Sequence, residues 1–191
     1  MAAVFLTANS ALATPASAAD AVAGQARAEA CQSCHGANGV SEIPGIPSLA
    51  GQQDKFLQWQ LVFFRSGRRV NEIMGPIAAD LSDEDVRNLG AYFAALPSGP
   101  PPGSETDPAL RTAGQALAEQ HRCAGCHLDN WAGKQATPAI AHQHRDYVVK
   151  ALSDYRAGTR PSTGVAAMTQ AAARLSDADI TALAHFLEAA E

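Results

Sequence analysis

The chain has 191 residues, a formal net charge of −5 at pH 7 and a hydrophobic content of 47%. This length suits one medium domain or two small ones. Charged residues are spread along the chain without a basic tract, which excludes the clustered basic face typical of nucleic-acid binding. No segment after residue 19 contains the ~20 apolar residues that a transmembrane helix requires, so we expect no membrane span.

The first segment, residues 1–19, differs in composition from the rest of the chain. It carries no charge, contains an apolar stretch and ends in Ala16-Ser17-Ala18-Ala19, the small-residue cleavage pattern of a secretory signal. No Lys or Arg precedes the apolar stretch, so we expect the true start of the signal to lie upstream or the start codon to be misassigned. A disordered Ala-rich tail is the alternative. We predict that residues 1–19 are a signal peptide and that the mature protein lies outside the cytoplasm.

The remainder of the chain repeats itself once. The pentad Cys31-Gln32-Ser33-Cys34-His35 recurs as Cys123-Ala124-Gly125-Cys126-His127. Further features recur in the same order at offsets of 91 to 94 residues: Pro47-Ser48-Leu49-Ala50 as Pro138-Ala139-Ile140-Ala141, Arg65 and Arg69 as Arg156 and Arg160, Met74 as Met168, and Leu81-Ser82-Asp83 as Leu175-Ser176-Asp177. Two copies are too few for a solenoid, so each must close its own core. We predict two domains, residues 20–96 and 108–191, joined by a Pro/Gly/Ser-rich linker at 97–107.

Each half is predicted to contain three helices. These helices cover residues 21–31, residues 53–65 and a segment beginning at Ser82 in the first half, and residues 108–122, residues 145–156 and a segment beginning at Ser176 in the second. Gly67 and Gly158 are expected to end the middle helix of each half, and Ser82 and Ser176 are expected to cap the last one. No stretch alternates apolar and polar residues with a period of two. The predicted fold class is therefore all-α.

All four cysteines of the chain lie in the two pentads. The pattern Cys-x-x-Cys-His is typical of c-type haem attachment, because two thiols three positions apart can each add across one haem vinyl group while the adjacent His ligates the iron. A Cys₄ zinc site usually has its pairs ~15–20 residues apart, a thioredoxin-type pair requires a βαβ context, and a disulfide framework would not explain the His after both pairs. We predict two covalently bound haem c groups, with attachment at Cys31, Cys34, Cys123 and Cys126 and iron ligation by His35 and His127.

One methionine in each half is the candidate for the sixth iron ligand. Apart from Met1, the chain contains only Met74 and Met168, each seven residues before a Leu-Ser-Asp motif. A single Met is ordinarily core filler, but two at equivalent positions favour axial ligation, which closes the iron against oxygen or peroxide chemistry. The alternative ligands are four histidines without a counterpart in the first half, namely His121, His142, His144 and His185. Of these, His142 and His144 follow the loop after Pro138.

Other residues are candidates for the surroundings of the haem. The carbonyls of Pro47 and Pro138 are placed to accept the Nδ1–H of the axial histidines, with a simple turn proline as the equal alternative. Four arginines are candidate partners of the haem propionates or members of a solvated face: Arg65, Arg69, Arg156 and Arg160. Three aromatic residues are candidates for the pocket wall or the ordinary core: Trp59, Phe63 and Phe64. Small residues are expected to let the first and last helices cross closely: Gly24 with Gly90, and Gly114 with Ala184.

With these residues, the chain resembles the tandem dihaem class I cytochromes of the cytochrome c4 family. The likeness covers nearly all of residues 20–191 and includes Cys-x-x-Cys-His-Gly, Pro-Ser-Leu-Ala-Gly-Gln, Arg-x-Gly-x-Arg and Leu-Ser-Asp-x-Asp. It implies two class I cytochrome c domains related by a pseudo-twofold axis, with His35 and Met74 as iron ligands in the first and His127 and Met168 in the second. The second copy departs from the pattern at Leu128 and His142, so its potential is expected to differ.

The resemblance implies a periplasmic electron carrier and not an enzyme. Such a carrier shuttles single electrons from a donor dehydrogenase or bc-type complex to a terminal oxidase. A similar dihaem subunit occurs in flavocytochrome c sulfide dehydrogenases, so a subunit bound to a dehydrogenase is the alternative, and it would need an exposed apolar patch near one haem. A dihaem peroxidase is a third hypothesis, which would require His142 or His144 to replace Met168.

Overall fold

The computed structural model describes residues 18–102, 107–162 and 166–190. Within these ranges the protein has nine helices and no strand, which confirms the all-α fold class. The first half contains α1 (Ala21–His35), α2 (Asp54–Arg65), α3 (Met74–Ala79) and α4 (Asp83–Ala95). The second half contains α5 (Pro108–Gln120), α6 (Ala124–His127), α7 (Arg145–Arg156), α8 (Ala167–Ala172) and α9 (Asp177–Glu188). None of the helices in these ranges is long and apolar enough to cross a membrane.

In each half the first and last long helices cross closely at a glycine. Gly24 on α1 lies against α4, where a Cβ atom would overlap the carbonyl oxygen of Asn88 and lie 2.8 Å from the Cβ of Tyr92. Gly114 on α5 lies in the same way against the carbonyl of Ala182 on α9. The predicted close crossing is therefore confirmed at both glycines, and the same helix pair forms the frame of both halves.

Each half closes its own hydrophobic core, as the repeat predicted. The first core contains Ala28, Leu57, Leu81, Val86, Leu89 and Phe93. The second core contains Ala118, Trp131, Val148, Leu175, Ile180, Leu183, Ala184, Leu187 and Ala190. The larger second core includes an indole that meets the ring of Phe186 edge-on, with 5.4 Å between the ring centroids of Trp131 and Phe186.

Local hydrogen bonds set the ends of the helices where the sequence predicted them. Ser82 and Ser176 each form a capping box, in which the serine hydroxyl accepts from the N–H of the aspartate three residues on and that aspartate accepts from the serine N–H. Gly67 and Gly158 follow α2 and α7 with φ angles of 70° and 72°, the left-handed region that ends a helix. These four positions confirm the predicted caps.

Other boundaries differ from the prediction. Helix α1 continues through the pentad to His35, whereas α5 ends at Gln120 because Arg122 adopts a φ of 54°. Helices α3 and α8 were not predicted, since six residues are too few for an apolar periodicity to be recognised. The expectation for Gly90 was wrong, because this glycine lies against Asp54 of α2 and leaves the crossing with α1 to Gly24.

The two halves contact each other through equivalent side chains, as a pseudo-twofold axis requires. Gln52 and Gln143 occupy the same place in the repeat, and each bonds to the backbone of the other half. Between the halves, residues 97–102 are non-helical. Residues 103–106 of the predicted linker and residues 1–17 of the predicted signal peptide lie outside the described residues, so both boundaries stay predictions.

Candidate functional site

One apolar cavity reaches into both halves of the described structure. Six of the sequence-predicted site residues line it, namely Cys31, Cys34, His35, Met74, His127 and Met168. The other two, Cys123 and Cys126, lie just before His127 and outside the cavity wall; Cys123 packs against the second core and Cys126 is exposed. The pentad histidine and the candidate methionine of both halves therefore line the same cavity.

In the first half, the last turn of α1 carries the whole pentad. Cys31 and Cys34 are three positions apart and so lie on one face of the helix. Burial raises the pKa of the Cys31 thiol, with a smaller opposing effect of Arg27, so this thiol is protonated at neutral pH. Neither cysteine forms a disulfide in this structure, and both thiols are free.

The pentad histidines are buried and held by the proline loops. The Nδ1 of His35 lies 2.8 Å from the carbonyl oxygen of Pro47, and the Nδ1 of His127 lies 2.9 Å from that of Pro138. A carbonyl only accepts, so each Nδ1 carries the hydrogen. Burial lowers the pKa of both imidazoles, partly offset by these hydrogen bonds, so the rings are neutral at pH 7 with an unprotonated Nε2. This is the protonation state that iron ligation requires, and the prolines are confirmed as acceptors.

Each candidate methionine lies in the first turn of a short helix, and a nearby side chain bonds to the backbone of that turn. The Asn71 side-chain oxygen accepts from the N–H groups of Ile73 and Met74 at the start of α3. In the second half, the Ser162 hydroxyl accepts from the N–H next to Met168 on α8. Both methionines are only partly buried among protein atoms and line the cavity, so their thioethers are available to a group that fills it.

The histidines weighed against Met168 have other partners. His144 Nε2 lies 2.7 Å from the carbonyl oxygen of Ser41 in the first half, and His142 Nδ1 lies 3.2 Å from that of Gly99 in the linker. His185 accepts from the N–H of Asp107. These three histidines, and His121 at the end of α5, are absent from the described residues that line the cavity.

Two of the four candidate arginines lie at the cavity. Arg69 and the buried Arg160 line it, and both donate to the Gln60 side-chain oxygen, at 2.6 and 3.4 Å. The other two, Arg65 and Arg156, each donate to the backbone carbonyl before Ser82 or Ser176 and pair with the aspartate after it, so they stabilise the starts of α4 and α9 instead.

The pair of cavity arginines is short of anionic partners in the described part of the chain. No ion pair to a carboxylate is formed by Arg69 or Arg160, and the buried Nε of Arg160 has no hydrogen-bond partner there. Burial disfavours ionisation of the adjacent Tyr147 phenol, but the two guanidinium groups outweigh it and lower the Tyr147 pKa to about 8. Uncompensated cations next to an apolar cavity fit a ligand that is apolar with carboxylates at its rim, as a haem is.

Sequence reasoning identified only part of the aromatic wall. Phe64 lines the cavity as expected, whereas Phe63 is a core residue and Trp59 is 45% exposed. Phe56 and Tyr147 also line the cavity and were missed, although Phe56 lies one turn from Trp59 in the same predicted helix. The described residues contain no cluster of three or more His, Cys, Asp or Glu that would hold a metal ion, so the zinc alternative lacks a ligand set there.

Comparisons with known proteins find relatives over most of the chain. The family model "Cytochrome c" matches residues 112–191, and the model "Cytochrome C oxidase, cbb3-type, subunit III" matches residues 18–93. The chain is 36% identical to cytochrome c4 of Pseudomonas aeruginosa over 182 residues, which cover 90% of this chain and 89% of that protein. It is 34% identical to the thiosulfate dehydrogenase electron acceptor of Stutzerimonas stutzeri over 73% of this chain and 68% of that protein.

A solved structure shows the same architecture in full. The crystal structure of reduced recombinant cytochrome c4 from Pseudomonas stutzeri matches with a TM-score of 0.84 at 32% identity, over 91% of this chain and 100% of that chain. The paired cysteines, neutral buried histidines, apolar walls and uncompensated arginines fit two covalent haem c groups. The chain therefore belongs to the cytochrome c4 family of dihaem electron-transfer proteins.

Proposed function

We propose that this protein is a periplasmic electron carrier whose haem irons are closed by His35 and Met74 in the first half and by His127 and Met168 in the second. Haem c attached at each pentad supplies a one-electron couple. The protein carries single electrons from a donor dehydrogenase or bc-type complex to a terminal oxidase.

The observation that carries this proposal is the composition of the cavity wall. In each half the wall contains one histidine from the pentad and one methionine from the same repeat. The histidine ring is held by its proline carbonyl. A side chain accepts from the backbone N–H of Met74 in the first half and of Thr169, next to Met168, in the second. Such a His/Met pair would hold the haem iron through two protein ligands, and the chemistry that the haem would then supply is electron transfer and not substrate binding at the iron.

The remaining wall residues control the surroundings of this pair. Apolar side chains from α2 and α4, including Phe56, Leu57 and Phe93, exclude water and so disfavour the additional positive charge of the oxidised state. Arg69 and Arg160 offer donors to the carboxylates that a haem carries at its rim. The second half supplies a different set of wall residues, including Ile140 and Val148, so the two potentials are expected to differ.

The methionine assignment is tested by removing one thioether at a time. Met74→Ala and Met168→Ala should each remove about half of the near-infrared sulfur-to-ferric-iron band, while a pyridine haemochrome assay still finds two haems per chain. Met74→His is the matched control, because it keeps a strong axial ligand and a low-spin iron without sulfur. A band of full strength in Met168→Ala would show that Met168 is not the ligand.

The contacts of Asp20 at the start of α1 support the proposed export. Asp20 directly follows the predicted signal peptide, and its carboxylate accepts from the N–H groups of Val22 and Ala23 to cap α1. Its own N–H donates to the side chain of Asn88 on α4. We expect N-terminal sequencing of the haem-loaded protein, released from the periplasm by osmotic shock, to begin near Ala19 or Asp20. Recovery only with the cytoplasmic fraction would contradict the periplasmic assignment.

A second candidate function, an electron-transfer subunit of a dehydrogenase, is favoured by an apolar patch beside the first site. Val70, Ile73 and Ile77 flank Met74 and are 84%, 61% and 37% exposed among protein atoms. Ile73 and Ile77 also line the cavity that a haem would fill, so the patch lies at its mouth. The residues at the same distances from Met168 as Ile73 and Ile77 are alanines, Ala167 and Ala171. An asymmetric patch next to the first site suits a partner that docks there, and a relative of this chain is named as an electron acceptor of thiosulfate dehydrogenase.

The two functions differ in what is isolated with the protein. A free carrier is purified alone from its native host under mild conditions, whereas a subunit is purified with a dehydrogenase polypeptide at a fixed ratio. The Ile73→Ser variant should weaken such a complex, and Ala167→Ser at the equivalent position of the second half serves as the control. Equal effects of the two substitutions would argue against docking at the first half.

A further inference from the structure

Two peptide groups next to the pentad histidines are bonded at both edges. The peptide between Pro47 and Ser48 accepts the Nδ1–H of His35 at its carbonyl, at 2.8 Å, while its N–H donates to the Gln143 side-chain oxygen at 2.9 Å. The Gln143 amide also donates to the Ser48 carbonyl at 3.1 Å. A glutamine of the second half thus holds the peptide that orients the histidine of the first half.

The same arrangement occurs in the opposite direction. The peptide between Pro138 and Ala139 accepts from His127 at 2.9 Å, and its N–H donates to the Gln52 side-chain oxygen at 2.8 Å. The Gln52 amide donates back to the Ala139 carbonyl at 2.9 Å. Both glutamine side chains are buried, at 7% and 8% exposure, so water does not compete freely for these bonds.

We infer that Gln52 and Gln143 are positioning residues that act across the interface, each tuning the haem ligand of the half to which it does not belong. An acceptor at the N–H edge of a peptide polarises its carbonyl and strengthens the hydrogen bond that the carbonyl accepts. A stronger bond from Nδ1–H makes the imidazole a more basic ligand. A more basic ligand favours ferric iron, so each glutamine lowers the reduction potential of the opposite haem.

This inference rests on the proposed function, because it takes His35 and His127 as iron ligands. Different measurements test the proposed function and this inference. The haem count and the near-infrared band report whether the iron ligands are correct, whereas the inference is tested by which of the two reduction potentials changes. Gln143→Met and Gln52→Met are the informative variants, since methionine keeps the length of the side chain and removes both hydrogen bonds. Gln53→Met is the matched control, because Gln53 also bonds across the interface, to the Ala132 carbonyl at 2.9 Å, without touching either proline peptide.

The measurement is a redox titration in which each haem is followed separately by its paramagnetic NMR signals. The first haem is identified by its displaced potential in the Met74→His variant. Because one hydrogen bond strengthens its neighbour by roughly 10–30%, we expect each substitution to change the ratio of ferrous to ferric iron at a fixed applied potential by about twofold. At 59 mV per tenfold change, this corresponds to about 18 mV.

The expected pattern is crossed. Gln143→Met raises the potential of the first haem and leaves the second unchanged, Gln52→Met does the reverse, and Gln53→Met moves neither although it also removes a bond between the halves. A shift confined to the haem of the mutated half, equal shifts of both haems, or no shift in either variant would overturn the inference. If a methionine variant does not load two haems, Gln143→Asn and Gln52→Asn replace it, with the same crossed pattern expected.

Discussion

The crossing of α1 with α4 makes a sharp prediction about Gly24. In an exposed helix, replacing Gly with Ala stabilises by about 1 kcal/mol. At this crossing the new Cβ would overlap the Asn88 carbonyl oxygen and lie 2.8 Å from the Cβ of Tyr92. Because the Asn88 oxygen belongs to the backbone, the overlap can be relieved only if α4 moves away from α1. Overpacking of this kind costs about 1–3 kcal/mol or more. We expect Gly24→Ala to lower the free energy of unfolding of the first half by about 1–2 kcal/mol net.

The assay is unfolding of the haem-loaded protein by heat and by guanidinium, followed by helical circular dichroism and by haem absorption. For a domain of this size the expected loss lowers Tm by roughly 4–16 °C. Gly114→Ala should do the same in the second half, where the carbonyl of Ala182 is in the way. Gly75→Ala is the control, because no atom lies within 4 Å of its added Cβ, and its stability should equal or exceed that of the parent protein. A Gly24→Ala protein as stable as the Gly75→Ala control would refute the packing argument.

Three further predictions concern strain, a buried ion pair and acid sensitivity. Leu128 follows the second pentad at φ 67° and ψ 162°, a region that only glycine adopts freely. Leu128→Gly should therefore raise the free energy of unfolding of the second half, measured in guanidinium, by about 1–3 kcal/mol. A lower free energy of unfolding would contradict this prediction. The Arg145 guanidinium lies 2.8 Å from the carboxylate of Glu188, whose side chain is 3% exposed. Arg145→Met should lower the free energy of unfolding by about 3 kcal/mol, because it leaves a buried carboxylate without its cation. In a double-mutant cycle, adding Glu188→Leu should restore most of that stability. Hydrogen bonds from Ser82 lower the pKa of Asp85 in the folded state, so this stabilisation is present above the unfolded-state pKa and is lost as pH falls through the folded one. Ser82→Ala should lower the free energy of unfolding by about 1 kcal/mol at pH 7. It should also reduce the fall in stability at acid pH, and an unchanged fall would show that protonation of Asp85 does not contribute to it.

Features carried by adjacent residues were predictable from the sequence. The capping boxes at Ser82 and Ser176 and the glycine stops at Gly67 and Gly158 depend on hydrogen bonds and φ angles within one turn of a helix. The short helix α3 was missed for the converse reason. Its six residues contain no apolar repeat, and its start is set by the side chain of Asn71.

Among chemically equivalent candidates, the sequence did not distinguish those at the cavity from those elsewhere. Arg65 and Arg69 are four positions apart near the end of α2. Arg65 donates a hydrogen bond at the start of α4, whereas Arg69 lines the cavity. The histidines that competed with Met168 are an equally clear case. His142 and His144 follow the loop that holds His127, but the ring of His142 contacts a carbonyl of the linker and the ring of His144 a carbonyl of the first half.

By itself, the sequence determined that the chain carries two haem c groups in two copies of one helical domain, because covalent attachment needs only two thiols and a histidine within one helical turn. The tertiary structure alone decided which side chains surround those groups and how the halves affect each other. Gln143 meets the Ser48 backbone only because two domains pack face to face, and a contact between residues so far apart in the chain follows from the shape of the interface and not from any local pattern.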